Sequence, residues 1–339
     1  TIEGKEGVVE LPPYLQIEPV GQCNLRCTMC PIQFRQDGPP YGPPAFMEFA
    51  LYTRLVDQFP GLQELHLQGL GEPMMHPRFF DMVEYAASRG LAVSTNTNLT
   101  LLTAERARRA VGSGLGWMRI SVDGATAETY ERIRLRSRLA RLERNLALLA
   151  EAKREAGGAG PRLEMTAVVM WQNLHELPAL VRFAHGWGMQ ELFVQHLCHE
   201  LGEPELPERY APLRAYLEAE SLAGEDPARI ERYFGEARAV AAALGLPLRL
   251  PRPRPALHPP GTPGRQRCAW PWRGAYVAYR GEALPCCMVA TPDRLTLGNM
   301  AEGVQRVWDG EPYEAFRRAL DSDEPPAVCR SCAVYRGTF

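Results

Sequence analysis

Three cysteines stand together near the start of this 339-residue chain, in the run Cys23-Asn-Leu-Arg-Cys27-Thr-Met-Cys30. Thiolates at C-x3-C-x2-C spacing can wrap one compact loop around a cubic iron–sulfur cluster. A [4Fe–4S] cluster held by three cysteines keeps one iron open, free to bind a substrate or cofactor. A structural zinc site takes four protein ligands, and no fourth Cys or His lies nearby in sequence. A zinc loop and buried apolar thiols remain the alternatives for this motif taken alone. Four more cysteines follow late in the chain, Cys268, Cys286, Cys329 and Cys332. Their pattern is C-x12-G-x4-C, through Gly281, and then C-x2-C, which could hold zinc or a second cluster. Cys287 adjoins one of these positions and is expected to be an inert packing residue. The ninth cysteine, Cys198, stands in Val194-Gln-His196-Leu-Cys198-His199.

Elements that could position these groups are legible in the hydrophobic pattern. Strand-like runs at Leu15–Val20, Glu64–Gln68, Leu91–Asn96, Met118–Val122, Leu163–Met170 and Glu191–His196 alternate with helical stretches near 47–59, 78–89, 103–112, 126–156 (broken near 135) and 175–186. That alternation predicts βα units around a parallel sheet. Gly90 is expected to end one helix in the left-handed region and Thr126 to cap another. Residues 207–244 read as one or two helices. The proline-dense stretch 246–264 reads as a stiff linker, because proline at that density forbids helix and central strand. The last unit, from 265 on, carries a hairpin signal (Ala275–Tyr279, Arg280-Gly281, Ala283–Met288) and a helix near 311–320. The expected domains are therefore 1–245, the linker 246–264, and 265–339.

Composition narrows the function class. Hydrophobic residues make up 45% and charged residues 23%, with a net charge of −2. This excludes a disordered chain and gives no global basic field for nucleic acid or anionic lipid. There is no apolar run long enough for a membrane span and no secretory signal pattern. A cytoplasmic location is expected, where grouped cysteines are metal ligands or redox groups rather than disulfides.

The first cysteine run resembles the signature of the radical S-adenosylmethionine (SAM) superfamily, and further motifs follow in that family's order. Gly69-Leu70-Gly71-Glu72-Pro73 closes the second strand run, Ser94-Thr95-Asn96 the third, and Ser121-Val122-Asp123-Gly124 the fourth. All stand at C-terminal strand ends, where parallel α/β barrels place their sites. The resemblance implies an α/β fold, a partial (β/α)6 TIM-like barrel, with Cys23, Cys27 and Cys30 ligating a SAM-cleaving [4Fe–4S] cluster. It implies SAM contacts from Met29, Gly69, Gly71, Glu72, Asn96, Ser121 and Arg134. The late cysteines, with Cys268-x-Trp270, Gly298-Asn299 and Trp308, resemble the SPASM auxiliary-cluster domain or its shortened twitch form. That resemblance implies one auxiliary [4Fe–4S] cluster on Cys268, Cys286, Cys329 and Cys332, used for electron transfer.

The resemblance extends to enzymes acting on aminoglycoside and aminocyclitol sugars. The expected reaction is epimerisation at a carbinol carbon, with Cys198 returning a hydrogen atom; His196 and His199 beside it could move protons, or instead pair with backbone or line the loop. The alternatives are dehydrogenation of the same alcohol to a ketone and modification of a ribosomal peptide. Only 22 residues precede Cys23, fewer than an N-terminal leader-binding domain needs. An electron donor such as flavodoxin or ferredoxin is the implied protein partner.

Overall fold

The computed structural model describes residues 9–36, 42, 43, 45–197, 201, 206–253 and 268–336. The predicted alternation is present as β1 (Tyr14–Ile17), α1 (Phe49–Asp57), β2 (Glu64–Leu67), α2 (Phe79–Ala87), β3 (Ala92–Thr97), α3 (Ala104–Gly112), β4 (Trp117–Ser121), α4 (Ala127–Ile133), α5 (Leu139–Glu155), β5 (Arg162–Val169), α6 (Leu177–Gly186) and β6 (Leu192–His196). Helix starts follow their capping residues: Thr103 Oγ1 accepts from the Arg106 amide and Thr126 Oγ1 from the Thr129 amide. Gly90 turns the chain out of α2 with φ +77°, as a residue without a Cβ can.

Two helices follow, α7 (Ala211–Glu220) and α8 (Pro227–Leu244), and then β7 (Leu248–Arg249), α9 (Trp270–Arg273), β8 (Gly274–Val277) and β9 (Ala283–Leu284). The chain closes with α10 (Val304–Trp308), α11 (Glu311–Asp321), α12 (Ala327–Arg330) and α13 (Ala333–Arg336). Among the described residues the strands form one open sheet in the order β7-β6-β5-β4-β3-β2-β1-β8-β9, parallel except for the final hairpin pair.

Two features differ from the sequence reading. Residues Leu248 and Arg249, expected inside the stiff linker, instead pair parallel with β6, and Leu192 N donates to Pro247 O at 2.9 Å. Flanking prolines are tolerated because β7 is the edge strand and is only two residues long. The rest of that linker, 254–264, lies outside the described residues. The late hairpin is also not a separate sheet. β8 pairs with β1 from Tyr14↔Gly274 to Ile17↔Val277, so hydrogen bonds cross the expected boundary. Tyr14 meets Trp270 edge to face at 5.8 Å, and a Cβ at Gly274 would strike both rings.

The strands alternate as half-buried strands do. Leu15, Ile17, Leu65, Leu67, Met118, Ile120, Leu192 and Val194 belong to the helix-packed core. Most residues of the opposite parity are polar, among them Gln16, His66, Ser94, Asn96, Arg119, Ser121, Glu164 and Gln195, with Phe193 an apolar exception. The C-terminal helices pack against the start of the chain. Trp308 is fully buried and donates from Nε1 to Glu10 O at 3.1 Å. Arg317 lies 4.2 Å from the Trp308 ring centre and donates to Pro271 O and Trp308 O.

Because β1 is paired on both sides, the two units should unfold as one. Ile17→Ala removes a fully buried side chain between β2 and β8 and should cost about 2–5 kcal/mol. Chemical denaturation followed by far-UV circular dichroism should show a single transition at a lower midpoint. Two separated transitions would show that the tail folds independently of the sheet.

Candidate active site at the open end of the sheet

The cysteine loop leaves β1 through Pro19, Val20 and Gly21 and lies over the C-terminal ends of β2–β6. Cys23, Cys27 and Cys30 line a cleft together with Met29, Gly69, Gly71, Glu72, Asn96, Ser121 and Arg134. Every SAM contact expected from the motifs therefore faces one cavity. The cleft offers about 220 Å³ of accessible space, somewhat below the usual range of small-molecule sites.

The loop is held by its surroundings. Its backbone bonds to the turn after α4, Arg26 N to Leu135 O and Thr28 N to Ile133 O, both at 3.0 Å. Arg26 Nη1 donates to Cys23 O and Leu25 O at 2.6 Å each. Leu25, Cys27 and Met29 pack with Ile133, Met170, Tyr210, Leu213 and Leu217 in a satellite core. Thr28 Oγ1 donates to Tyr216 Oη at 2.7 Å, so α7 buttresses the loop from far along the chain.

The glycine-rich turn after β2 packs directly beneath the loop. A Cβ on Gly71 would lie 2.0 Å from Val20 O and 2.5 Å from Gln22 O, so only glycine fits there. Glu72 N donates to Gln22 O at 3.0 Å. The Glu72 carboxylate is already engaged: Oε1 accepts from Thr97 Oγ1 (2.6 Å) and Met74 N (3.2 Å), and Oε2 accepts from Asn98 N (2.8 Å). Burial raises its carboxyl above the usual range, against these hydrogen bonds, which lower it. Glu72 thus clamps the β2 and β3 turns together and keeps only part of its acceptor capacity for a ligand.

Gly69 is required for a different reason. A Cβ there would meet the Glu18 side chain at 2.2 Å. Glu18 and Arg35 form an ion pair at 2.6 Å with both side chains fully buried, and Glu18 Oε1 also accepts from Leu70 N at 3.0 Å. The Leu70 amide is therefore spent on the protein. The motifs did not single out Glu18 or Arg35. The available signal was a carboxylate directly after an apolar strand, since a buried charge demands a partner.

Arg134 lines the cleft and pairs with Asp123 at 2.7 Å. Its Nε is buried and has no hydrogen-bond partner among the described residues. An unmet buried donor in a polar cleft suits an anionic ligand group. Gln68, Thr97, Asn98 and Gln195 also line the cleft, although no motif flagged them.

His196 takes the second of its two expected roles, pairing with backbone. Strand alternation turns Gln195 toward the cleft, whereas His196 is buried with Nε2 donating to Arg252 O at 2.7 Å. Its role is to tie β6 to the segment after β7, and burial lowers its pKa. Cys198 and His199 lie outside the described residues.

The late cysteines gather at the far edge of the sheet. Cys268 precedes α9, Cys286 and Cys287 follow β9, and Cys329 and Cys332 bracket the end of α12. Burial, reinforced by Cys332 and Cys268, pushes the Cys287 thiol up to about 12. Burial, reinforced by Cys287, Cys332 and Cys329, raises the Cys286 thiol. Cys287 packs, with Cys286, against the buried Tyr276, Ala278, Leu284 and Val289. In the first trio, burial with Cys27 nearby likewise pushes Cys30 up to about 12. Thiols so disfavoured as free anions suit a cationic centre, because metal coordination reverses that preference outright. Among the described residues no three Cys, His, Asp or Glu side chains converge as a single metal ion would need. A cubic cluster instead places its thiolates at separate corners. The residues present fit iron–sulfur clusters at both places.

His66, on the polar face of β2, offers a pH test. Its Nδ1 meets Ser94 Oγ at 2.7 Å and its Nε2 meets Gln68 Oε1 at 2.6 Å. Burial lowers its pKa from 6.5 to about 4. The unfolded chain therefore binds a proton that the folded chain refuses, and stability falls as pH drops from 6.5 towards 4. The shift corresponds to about 3 kcal/mol. His66→Gln should flatten the acid limb of a stability-versus-pH curve. An unchanged limb would place the titrating group elsewhere.

Comparison with known proteins agrees with this geometry. The radical SAM superfamily profile matches residues 17–184, and the SPASM profile, an iron–sulfur cluster-binding domain, matches residues 268–333. A tungsten-containing aldehyde ferredoxin oxidoreductase cofactor-modifying protein of Pyrococcus furiosus is 32% identical over 189 residues, 54% of this chain and 51% of that protein. The match thus spans about half the length of that relative. The PqqA peptide cyclase of Ruegeria pomeroyi is 26% identical, covering 97% of this chain and 82% of that protein. The crystal structure of Streptococcus suis SuiB bound to precursor peptide SuiA shares the fold, with TM-score 0.68 and 14% identity over 97% of this chain and 71% of that one. Among the described residues no helix is long and apolar enough to cross a membrane. The chain carries a radical SAM domain followed by a SPASM iron–sulfur cluster-binding domain.

Proposed function

We propose that this protein is a radical SAM enzyme that modifies a peptide. The radical SAM domain implies S-adenosylmethionine and a [4Fe–4S] cluster, and the SPASM domain implies further iron–sulfur binding. When bound, S-adenosylmethionine and the reduced cluster supply a 5′-deoxyadenosyl radical that takes a hydrogen atom from a substrate carbon. Cys23, Cys27 and Cys30 would hold that cluster and leave one iron open. Gly71 would let the turn after β2 lie close beneath it, and Glu72 would fix that turn against β3. Asn96 and Ser121 would offer polar contacts to the cofactor, and Arg134 Nε a donor to its carboxylate.

The observation that carries the peptide reading is the likeness to the PqqA peptide cyclase, which runs through both cluster regions rather than the barrel alone. One surface feature agrees with it. Leu135, a large apolar side chain 42% exposed, has its carbonyl bonded to Arg26 N of the cysteine loop. An exposed apolar side chain beside that loop favours a substrate that brings apolar side chains.

A second reading keeps the expected sugar epimerase or dehydrogenase. It rests on Cys198 following β6 as a hydrogen donor.

Anaerobically reconstituted protein, a reductant and S-adenosylmethionine should be offered precursor peptides encoded beside the gene and, separately, an aminocyclitol panel. Peptide-dependent 5′-deoxyadenosine with a mass change in the peptide is expected, and Cys27→Ala should abolish both. Conversion of an aminocyclitol with no peptide turnover would overturn the proposal.

Iron content tests the cluster assignment. About eight irons per chain are expected for two cubic clusters. Replacing Cys286 or Cys287 singly by Ser should show which thiol the auxiliary cluster needs. Loss of about half the iron from Cys287→Ser, with Cys286→Ser unaffected, would move the ligand by one residue.

A further inference from the structure

We infer that the basic hollow on the outer side of β2 and β3 docks a small acidic electron-carrier protein that reduces the radical cluster. The inference rests on the radical SAM reading above. The hollow lies between α2, α3 and α5 and is lined by Arg106, Arg109, Arg141, Arg144, His76 and Thr100, with Glu105 as the acidic residue in its lining. Arg109 is neutralised by Asp81 and Glu84 at 2.9 and 2.8 Å. Arg106 donates to Leu101 O at 2.9 Å. Arg141 and Arg144 are exposed, and among the described residues neither they nor Arg106 has a carboxylate partner. In a chain with a net charge of −2, this is a local concentration of positive charge. Such a surface steers an acidic partner.

A second observation selects the partner. Thr100 connects the wall of the hollow to the radical site. Its Oγ1 donates to Asn98 Oδ1 at 2.6 Å and accepts from Asn24 Nδ2 at 2.8 Å. Asn98 Nδ2 donates to Asn24 Oδ1 at 3.0 Å and reaches Cys23 Sγ at 3.8 Å. Three bonded side chains therefore bridge the hollow and a cysteine of the first trio. A substrate must enter the open cleft, which is lined by the cysteine trio and the strand ends. A carrier docked behind the wall leaves that entrance clear. Its chemistry is a one-electron transfer: a flavin hydroquinone loses one electron to become the semiquinone, and the oxidised cluster gains it.

Reduced flavodoxin is the probe. The reconstituted enzyme and its Arg141→Glu/Arg144→Glu variant are mixed anaerobically with it, and cluster reduction is read by electron paramagnetic resonance on frozen time points. The signal of interest is the one that shifts when S-adenosylmethionine is added. The wild-type rate should fall with added salt, and the variant should be slower by about tenfold, the scale of electrostatic steering. Reduction by dithionite should be equal in both proteins. Titration calorimetry with oxidised flavodoxin, which needs no cluster turnover, should show a matching loss of affinity. Equal flavodoxin rates and affinities would overturn the inference. Absence of a SAM-sensitive signal after dithionite in the wild type would overturn the radical SAM reading instead.

Discussion

The two-sided pairing of β1 is the constraint on which the rest depends. Four residues, Tyr14–Ile17, bond to β2 on one side and β8 on the other. The first cysteine loop leaves from the end of β1, and Cys286 and Cys287 follow the strand next to β8. Both cysteine groups are therefore referenced to one rigid strand. If the auxiliary group passes electrons, its position relative to the cleft is set by sheet hydrogen bonds rather than by a linker.

Around that strand the site is built from buried polar groups that already have partners. Glu18 with Arg35 and Asp123 with Arg134 are ion pairs removed from water. Such pairs contribute little net stability, yet breaking one partner leaves a costly lone charge. Their effect here is positional. Glu18 sets where Gly69 and Leu70 lie, and Asp123 sets where Arg134 points. Thr97, Asn98 and Met74 do the same for Glu72. The cleft is thus organised by the protein itself.

Much of this was readable in the residues. Cysteine spacing and strand-end motifs, through the family resemblance they carry, named ten residues for one site, and all ten line the cleft. Local patterns carry that information because strand ends sit side by side in a parallel sheet. What local pattern could not carry was pairing between distant segments. The β1–β8 ladder joins residues some 260 apart, and nothing in Gly274–Val277 announces its partner. His196 had two readings, proton transfer or backbone pairing, because a strand of period two hides which parity faces the site, and the bond to Arg252 O fits the second.

The hydrogen bond from Thr28 to Tyr216 spans 188 positions. During synthesis the cysteine trio therefore emerges from the ribosome long before the helix that braces its loop. The thiols leave the exit tunnel first, on a strand that still lacks β2 and β8. Iron delivered to that nascent segment would meet a loop without its brace. The order of folding then follows from chain connectivity: translation past α7 precedes formation of the braced loop.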